Sequence, residues 1–512
     1  MRLTVRSRAA ALAGALLAPA CLPFAAARAQ ETPVTLTLEE AIALAREHNP
    51  AFLKQDNDAG PADWRVREAY SAWLPRANTG LGFRYEGGGP ALVGSFTGSD
   101  LGLGATPAYY FSSYSIGMSL QLSAATLFGM GEARASREAV ESRIDAAAFT
   151  LRADVTRQYI AVLRAQDGVT LARQQLESAS QNLELAEARV RVGAAPPLEA
   201  MQAQVERGRA EVALVQAENL YDTERLRLME QLGTDLDADV RLTTSFEVFE
   251  PSWTRDELVD EALAAHPQIE SLRAEERARR AAVRSTRGSF LPTLRFSAGW
   301  SGFSRMVAAD DQYLIDGAKS RAEARIESCE TQNLISAGLS QPLPGYPLDC
   351  SQYALTQEGI DAVLADNRRF PFKFTEQPFS ASLQISLPLF QGLSARRQLE
   401  EAQAAEADAR YDLRAEELRR RTAVATALLD LKAAYRSAML EEKNAATAAE
   451  QLRLARERYR LGVATFVELS QAETQKAEAD RARLDAVYGF HEALAALEAA
   501  VGRRLRPDSG GQ

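Results

Sequence analysis

The chain has 512 residues, 46% hydrophobic and 25% charged, the balance of an ordered protein. Lys and Arg total 59 against 69 Asp and Glu, and a net charge of −10 argues against a nucleic-acid partner. Its three histidines, His48, His266 and His491, are far apart in sequence. No nucleophile–base pair, metal-ligand spacing or G-x-x-x-x-G-K-[ST] loop occurs, so neither enzymatic activity nor a cofactor is expected.

The N-terminus reads as an export signal over residues 1–29. Arg2, Arg6 and Arg8 precede an apolar run from Ala9 to Ala18, and Ala27-Arg28-Ala29 offers a cleavage site. Cys21 raises the alternative of an acylated lipoprotein, but Ala18-Pro19-Ala20 fits a lipobox poorly, and cleavage after Ala29 is the expectation. Export would carry Cys329 and Cys350 into an oxidising compartment, where a disulfide would contribute roughly 3 kcal/mol if unstrained. No later stretch has the ~18 consecutive apolar residues of a spanning helix.

Residues 36–83 and 253–300 align without a gap at an offset of 217, which places Thr37 on Thr254, Glu40 on Glu257, Pro50 on Pro267 and Leu74-Pro75 on Leu291-Pro292. This is an internal duplication: repeat 1 over 30–233, a linker over 234–252, repeat 2 over 253–502 and a polar tail over 503–512. Each repeat opens on a Thr followed by acidic residues, an N-cap with favourable dipole charges.

After each Leu-Pro the hydrophobic period changes to 2. Thr79, Leu81, Phe83 and Tyr85 form one alternating set, and Tyr114, Ile116, Met118, Leu120 and Leu122 a second. Leu294, Phe296, Ala298 and Trp300 form a third, and Phe379, Ala381, Leu383, Ile385 and Leu387 a fourth. One face is bulky and apolar, the other small and polar. A water-soluble sheet facing a core would alternate in the same way; strand lengths near ~9–11 residues, aromatic ends and the export signal favour a lipid-facing barrel. Four strands cannot close one, since membrane barrels need about eight, and open edges are not tolerated in lipid. The barrel must therefore be shared among copies of the chain. The first hairpin encloses a loop over 86–112. The second encloses an external insertion over 301–378, which holds Cys329, Cys350 and the cluster Phe370, Phe372 and Phe374.

Long helical runs follow, Glu132 to Arg191 and Ser394 to Arg460; the first would extend roughly 90 Å if continuous. Each turns at a glycine-centred tip, over 191–199 and 460–468, and returns to a capping Gly233 or Gly502. Leu176, Ala179, Leu183, Ala186 and Val190 sit on a seven-residue pattern, as do Val205, Gly208, Val212 and Val215. The repeat offset changes from 262 at Leu151/Leu413 to 269 at Gly193/Gly462, one heptad, which preserves the packing seam.

In the order of these features the chain resembles the TolC family of outer-membrane efflux and secretion ducts. The likeness rests on the opening from Thr37 to Pro50 and its copy, the Leu-Pro pairs, Leu127-Phe128 and Leu389-Phe390, and the two Arg-x-Gly tips. It implies an α+β membrane protein: a TolC-like homotrimer whose twelve-stranded β-barrel, four strands per protomer, continues as a long α-helical coiled-coil barrel into the periplasm. The tips would then dock a periplasmic adaptor (membrane fusion protein) through Val192, Gly193, Ala194, Leu461, Gly462, Val463 and Thr465. The first tip departs from this pattern, because Ala195-Pro196-Pro197 lacks the hydroxyl that Thr465 supplies. Glu199 and Glu468 would line the periplasmic gate, with Arg191, Tyr459 and Arg460 forming bonds that lock it between protomers; a second acid found in relatives is Gln471 here. The function implied is the passive outer-membrane duct of a tripartite export system, driven by an inner-membrane transporter and carrying small molecules. Type I protein secretion is the alternative within this reading, and a periplasmic coiled-coil adaptor or scaffold the alternative outside it.

Overall fold

Thr37 and Thr254 each open a helix with the same reciprocal bond. The Thr hydroxyl accepts from the backbone N–H three residues on, and the side chain of Glu40 or Glu257 accepts from the Thr N–H. The helices are α1 (Leu38–His48) and α6 (Arg255–Ala265), and each is followed by a helix with Pro at its start, α2 (Pro50–Asp56) and α7 (Pro267–Arg287). The two copies then differ: Asn57-Asp58 interrupts the first before α3 (Ala59–Ser71), whereas α7 continues to Arg287. In this computed structural model the described residues are 35–90, 92–93, 96–97, 106–234, 241–244, 246–375 and 377–506. The expected leader, Cys21 and the last six residues lie outside them.

Two compact units form, and neither follows a sequence repeat. The first comprises 35–49, 155–248 and 450–484 of the described chain, and the second 50–154, 249–449 and 485–506. The long helices α4 (Ala124–Arg191), α10 (Ser394–Arg460) and α11 (Phe466–Val501) contribute to both, while α5 (Pro197–Leu232) belongs to the first. Helix α4 starts directly after a strand, eight residues earlier than the sequence pattern indicated. In the first unit β1 (Thr35–Leu36) and β6 (Arg241–Leu242) form a short parallel pair. Buried Tyr159 ties this pair to α4: its hydroxyl donates to the Leu36 carbonyl (2.8 Å) and accepts from the Thr244 N–H (3.2 Å). Gly233 closes α5 at φ 72°, where an added Cβ would strike the His48 backbone.

The second unit holds the sheet, in the order β2 (Arg76–Glu86), β5 (Ala108–Ser123), β7 (Thr293–Ala308) and β8 (Ser380–Ser386), all antiparallel. A two-residue ladder of β3 (Leu92–Val93) and β4 (Phe96–Thr97) lies in the loop between β2 and β5. The register puts the apolar sets side by side. Thr79 faces Ile116 and Ile116 faces Trp300; Leu120 faces Phe296 and Phe296 faces Leu383; Leu122 faces Leu294 and Leu294 faces Ile385. Trp300 and Phe379 add a ring contact at 4.9 Å. The opposite face is Ser, Gly and Asn for most of its length. At 16 residues each, β5 and β7 run further than their alternating patterns indicated.

The insertion after β7 is mostly helical, where its sequence read only as a long loop. Helix α8 (Asp311–Ala337) is opened by the Asp310 carboxylate, which accepts from the Tyr313 N–H. A disulfide joins Cys329 to Cys350 in the following 3-10 turn, and α9 (Gln357–Arg368) completes the segment. Its tail takes over the edge of β7 beyond the end of β8. The Thr375 N–H donates to the Phe303 carbonyl (2.8 Å), and the Asn367 amide bonds both backbone groups of Val307 (2.8 and 3.1 Å). An edge that would template aggregation is thereby covered. No helix of the described residues is long and apolar enough to cross a membrane.

Candidate functional site

Both tips are built on one backbone device. At the end of α4 the Gly193 N–H bonds the Val190 carbonyl and the Ala194 N–H bonds the Arg189 carbonyl. At the end of α10 Gly462 and Val463 do the same to Tyr459 and Arg458. These are Schellman caps, and Gly193 (φ 73°) and Gly462 (φ 76°) supply the left-handed residue each requires. A Cβ at either glycine would meet no atom within 4 Å, so the demand for glycine is conformational, not steric. The restarts differ. Pro196 caps α5 with no side-chain bond and Pro197 follows at the first position, whereas the Thr465 hydroxyl accepts from the Glu468 N–H (3.3 Å) at the start of α11. Val192, Leu461 and Val463 stand exposed at the tips, apolar side chains without cover among the described residues.

Immediately behind the tips the two hairpins share a hydrophobic cluster of Ala186, Ala203, Leu452, Ala464, Phe466 and Leu469 around Tyr459. Tyr459 is 1% exposed. Its hydroxyl donates to Glu199 Oε2 at 2.9 Å, its ring lies 4.3 Å under the Arg189 guanidinium, and its carbonyl accepts from Arg189 Nη1. One residue of the second hairpin thus holds a carboxylate and a cation of the first. Burial, then the Glu199 carboxylate, pushes the Tyr459 phenol up to about 12, so it remains a donor at any physiological pH. Glu468 lies elsewhere, bonded to Thr465 (3.4 Å) and 3.6 Å from Arg458. Of the five residues expected at the gate, the structure brings Tyr459 and Glu199 together within one chain. Arg191 is exposed, and Arg460 lies 3.8 Å from Glu457 of its own helix.

Above the cluster a cavity of about 430 Å³ opens between the hairpins. On its wall Glu473 accepts from Arg456 (2.8 Å), Asn182 (2.8 Å) and Ser178 (3.1 Å), and Lys476 pairs with Asp480. Sequence reasoning missed this network. Its one signal is an Arg and a Glu placed among the small residues of facing helices.

Comparison with known proteins follows the same architecture. A family model described as outer membrane efflux protein matches residues 41–234 and 355–503. Among solved structures, a membrane protein from Pseudomonas aeruginosa is 20% identical, with 91% of this chain and 93% of that one covered and a TM-score of 0.65. The Campylobacter jejuni CmeC outer membrane channel is 13% identical, with coverages of 91% and 85% and a TM-score of 0.67. The open state of the Neisseria gonorrhoeae MtrE outer membrane channel is 18% identical, with coverages of 93% and 91% and a TM-score of 0.63. No curated protein sequence matches the chain.

Proposed function

Because the chain belongs to the outer membrane efflux protein family, an outer-membrane transport protein and not an enzyme, we propose that three copies form a closed exit duct for small molecules. The observation that carries this is the open sheet. It has an apolar face with Leu81, Phe83, Ile116, Trp300, Leu383 and Ile385 exposed, and its edges β2 and β8 have no partner strand among the described residues. Lipid tolerates the face but not the edges, so β8 of one copy pairs with β2 of the next, and three copies make twelve strands. The helices support the same assembly. On α5 the exposed Leu198, Met201, Val205, Val212, Val215 and Leu226 fall on one heptad seam, which a neighbouring copy would cover.

Gating follows from the tip. The Tyr459–Glu199 bond and the Arg189 contacts hold each protomer's own hairpins together, while Arg191 and Arg460, both exposed, face the neighbouring copy. The exposed Val192, Leu461 and Val463, with the backbone of Gly193, Ala194 and Gly462 and the Thr465 hydroxyl, form the surface for an adaptor's hairpin tips. An adaptor opens the duct only by binding the splayed tips better than the closed ones. The energy comes from an inner-membrane transporter. Extraction of outer membranes in mild detergent is expected to yield a particle of three chains, and deletion of the gene to raise sensitivity to exported compounds. A monomer in the soluble periplasmic fraction would refute the duct.

A further inference from the structure

All charged residues of the four-stranded sheet lie on its small-residue face, and four of the five are arginines. Arg76 and Arg84 come from β2, Arg295 and Arg305 from β7, and the single acid is Glu86. They form two tiers. Arg84, Phe111 and Arg305 stand in one cross-strand row near the end of the sheet away from α4, the end from which β7 leads to α8. Arg76 and Arg295 lie at the end that leads into α4, one row apart. Between the tiers the face is uncharged, with Asn78, Gly80, Ser115, Gly117 and Ser301 among its residues. Four arginines less one glutamate give +3 on this face, in a chain whose total is −10.

The partners of these arginines set them apart. Elsewhere in the same unit arginines are matched by carboxylates, as in Arg277–Glu138, Arg280–Glu276 and Arg397–Glu401. On the sheet Arg84, Arg295 and Arg305 have neutral holders. The Arg84 guanidinium lies 4.9 Å over the Phe111 ring and that of Arg305 lies 5.0 Å over Tyr109, while Arg295 donates to Gln121 Oε1 at 2.9 Å. Glu86 approaches Arg84 only at 3.9 Å, with both side chains well exposed. Rings and amides fix these cations in place without cancelling their charge. A structural ion-pair role would require carboxylates, and the face has only one.

We propose that this face makes the barrel an anion-selective passage, and that the cargo carries net negative charge, as an organic carboxylate, sulfonate or phosphate does. The inference rests on the trimeric barrel proposed above, in which the apolar face meets lipid and this one lines the lumen. Three copies would set twelve arginines against three glutamates in two rings within a low-dielectric wall. Such rings focus a positive potential on the pore and choose permeant ions by sign. Arg84 and Arg305 form the ring at the external mouth.

The test is single-channel conductance in planar bilayers in KCl, with hexacyanoferrate(III) or hexaamminecobalt(III) added on the external side, so that the probe meets the barrel before the tips. The expected result is block by the trivalent anion and none by the trivalent cation. Arg84→Gln/Arg305→Gln should weaken the anion block at least tenfold, and Arg84→Lys/Arg305→Lys should retain it. Block by the cation, or equal anion block in wild type and the Gln variant, would overturn the proposal while leaving the duct intact. Failure of the wild type to yield a conducting trimer would strike instead at the proposed function.

Discussion

The phenol of Tyr459, at the end of one hairpin, donates to the carboxylate of Glu199, at the start of the other hairpin's returning helix, and the pair is 2.9 Å apart. A hydrogen bond to a charged group contributes about 1.5–3 kcal/mol, and removal of the hydroxyl also leaves Glu199 without its donor. Tyr459→Phe keeps the ring within its cluster of Ala186, Phe466 and Leu469. It should therefore leave assembly unchanged while raising the open probability of the duct in planar bilayers. Wild-type gating in this variant would remove the bond from the mechanism.

The same residue sets an alkaline limit. Its folded pKa of about 12 lies above the ordinary 10, so the stabilisation is complete below about pH 10 and is lost as pH climbs through 12. Absorbance at 295 nm should show a tyrosine ionisation near 12 whose amplitude falls by one tyrosine per chain in Tyr459→Phe.

Acid acts through the histidines. Burial and the Arg506 charge hold His491 down to about 4. Burial also holds His266 below the usual 6.5, beside Arg420, with Glu416 and the Ala499 carbonyl opposing the shift. A base with a depressed folded pKa binds its proton better unfolded. Its contribution is therefore whole above pH 6.5 and falls as pH drops toward 4. Thermal unfolding followed from pH 7.5 to 4.5 should show a falling Tm, with a shallower slope in His491→Gln.

On the sheet, Leu120 and Ile385 lie on the apolar face. Arginine at either position should cost about 2–4 kcal/mol per protomer near the bilayer midplane. Trimer recovery from membranes should collapse in both variants, and normal yield would show that this face does not meet lipid.

At the tips, Gly193→Leu/Gly462→Leu would force a branched residue into a left-handed conformation, at roughly 1–2 kcal/mol each. Space is available for the side chains, and the global fold should survive. Export should fall while trimer yield holds; unaltered export would take the tips out of adaptor docking.

Features set by local chemistry were legible in the chain. Thr37 and Thr254 announce their caps, Gly193 and Gly462 their left-handed turns, and the alternation about Ile116 and Trp300 its strands. The face on which the four arginines gather needed the register, because Arg84 and Arg305 are 221 residues apart in sequence (305 − 84) and share a row only through Phe111. Helix α8 was obscured by the Gly- and Pro-containing stretches that follow it, which led to the whole insertion reading as loop. The intraprotomer bond of Tyr459 was equally out of reach, since periodicity identifies a buried position but not whether its partner belongs to the same copy.

The seam between β5 and β7 also bears on descent. It joins the second strand of one repeat to the first strand of the other, which is what β8 must do with β2 of the neighbouring copy in the proposed barrel. One kind of junction is thus held within a polypeptide three times around the ring and left to association three times. A half-length chain would use that junction six times, and joining two such units through a linker over 234–252 would halve the number of subunits that must find one another in the proposed barrel.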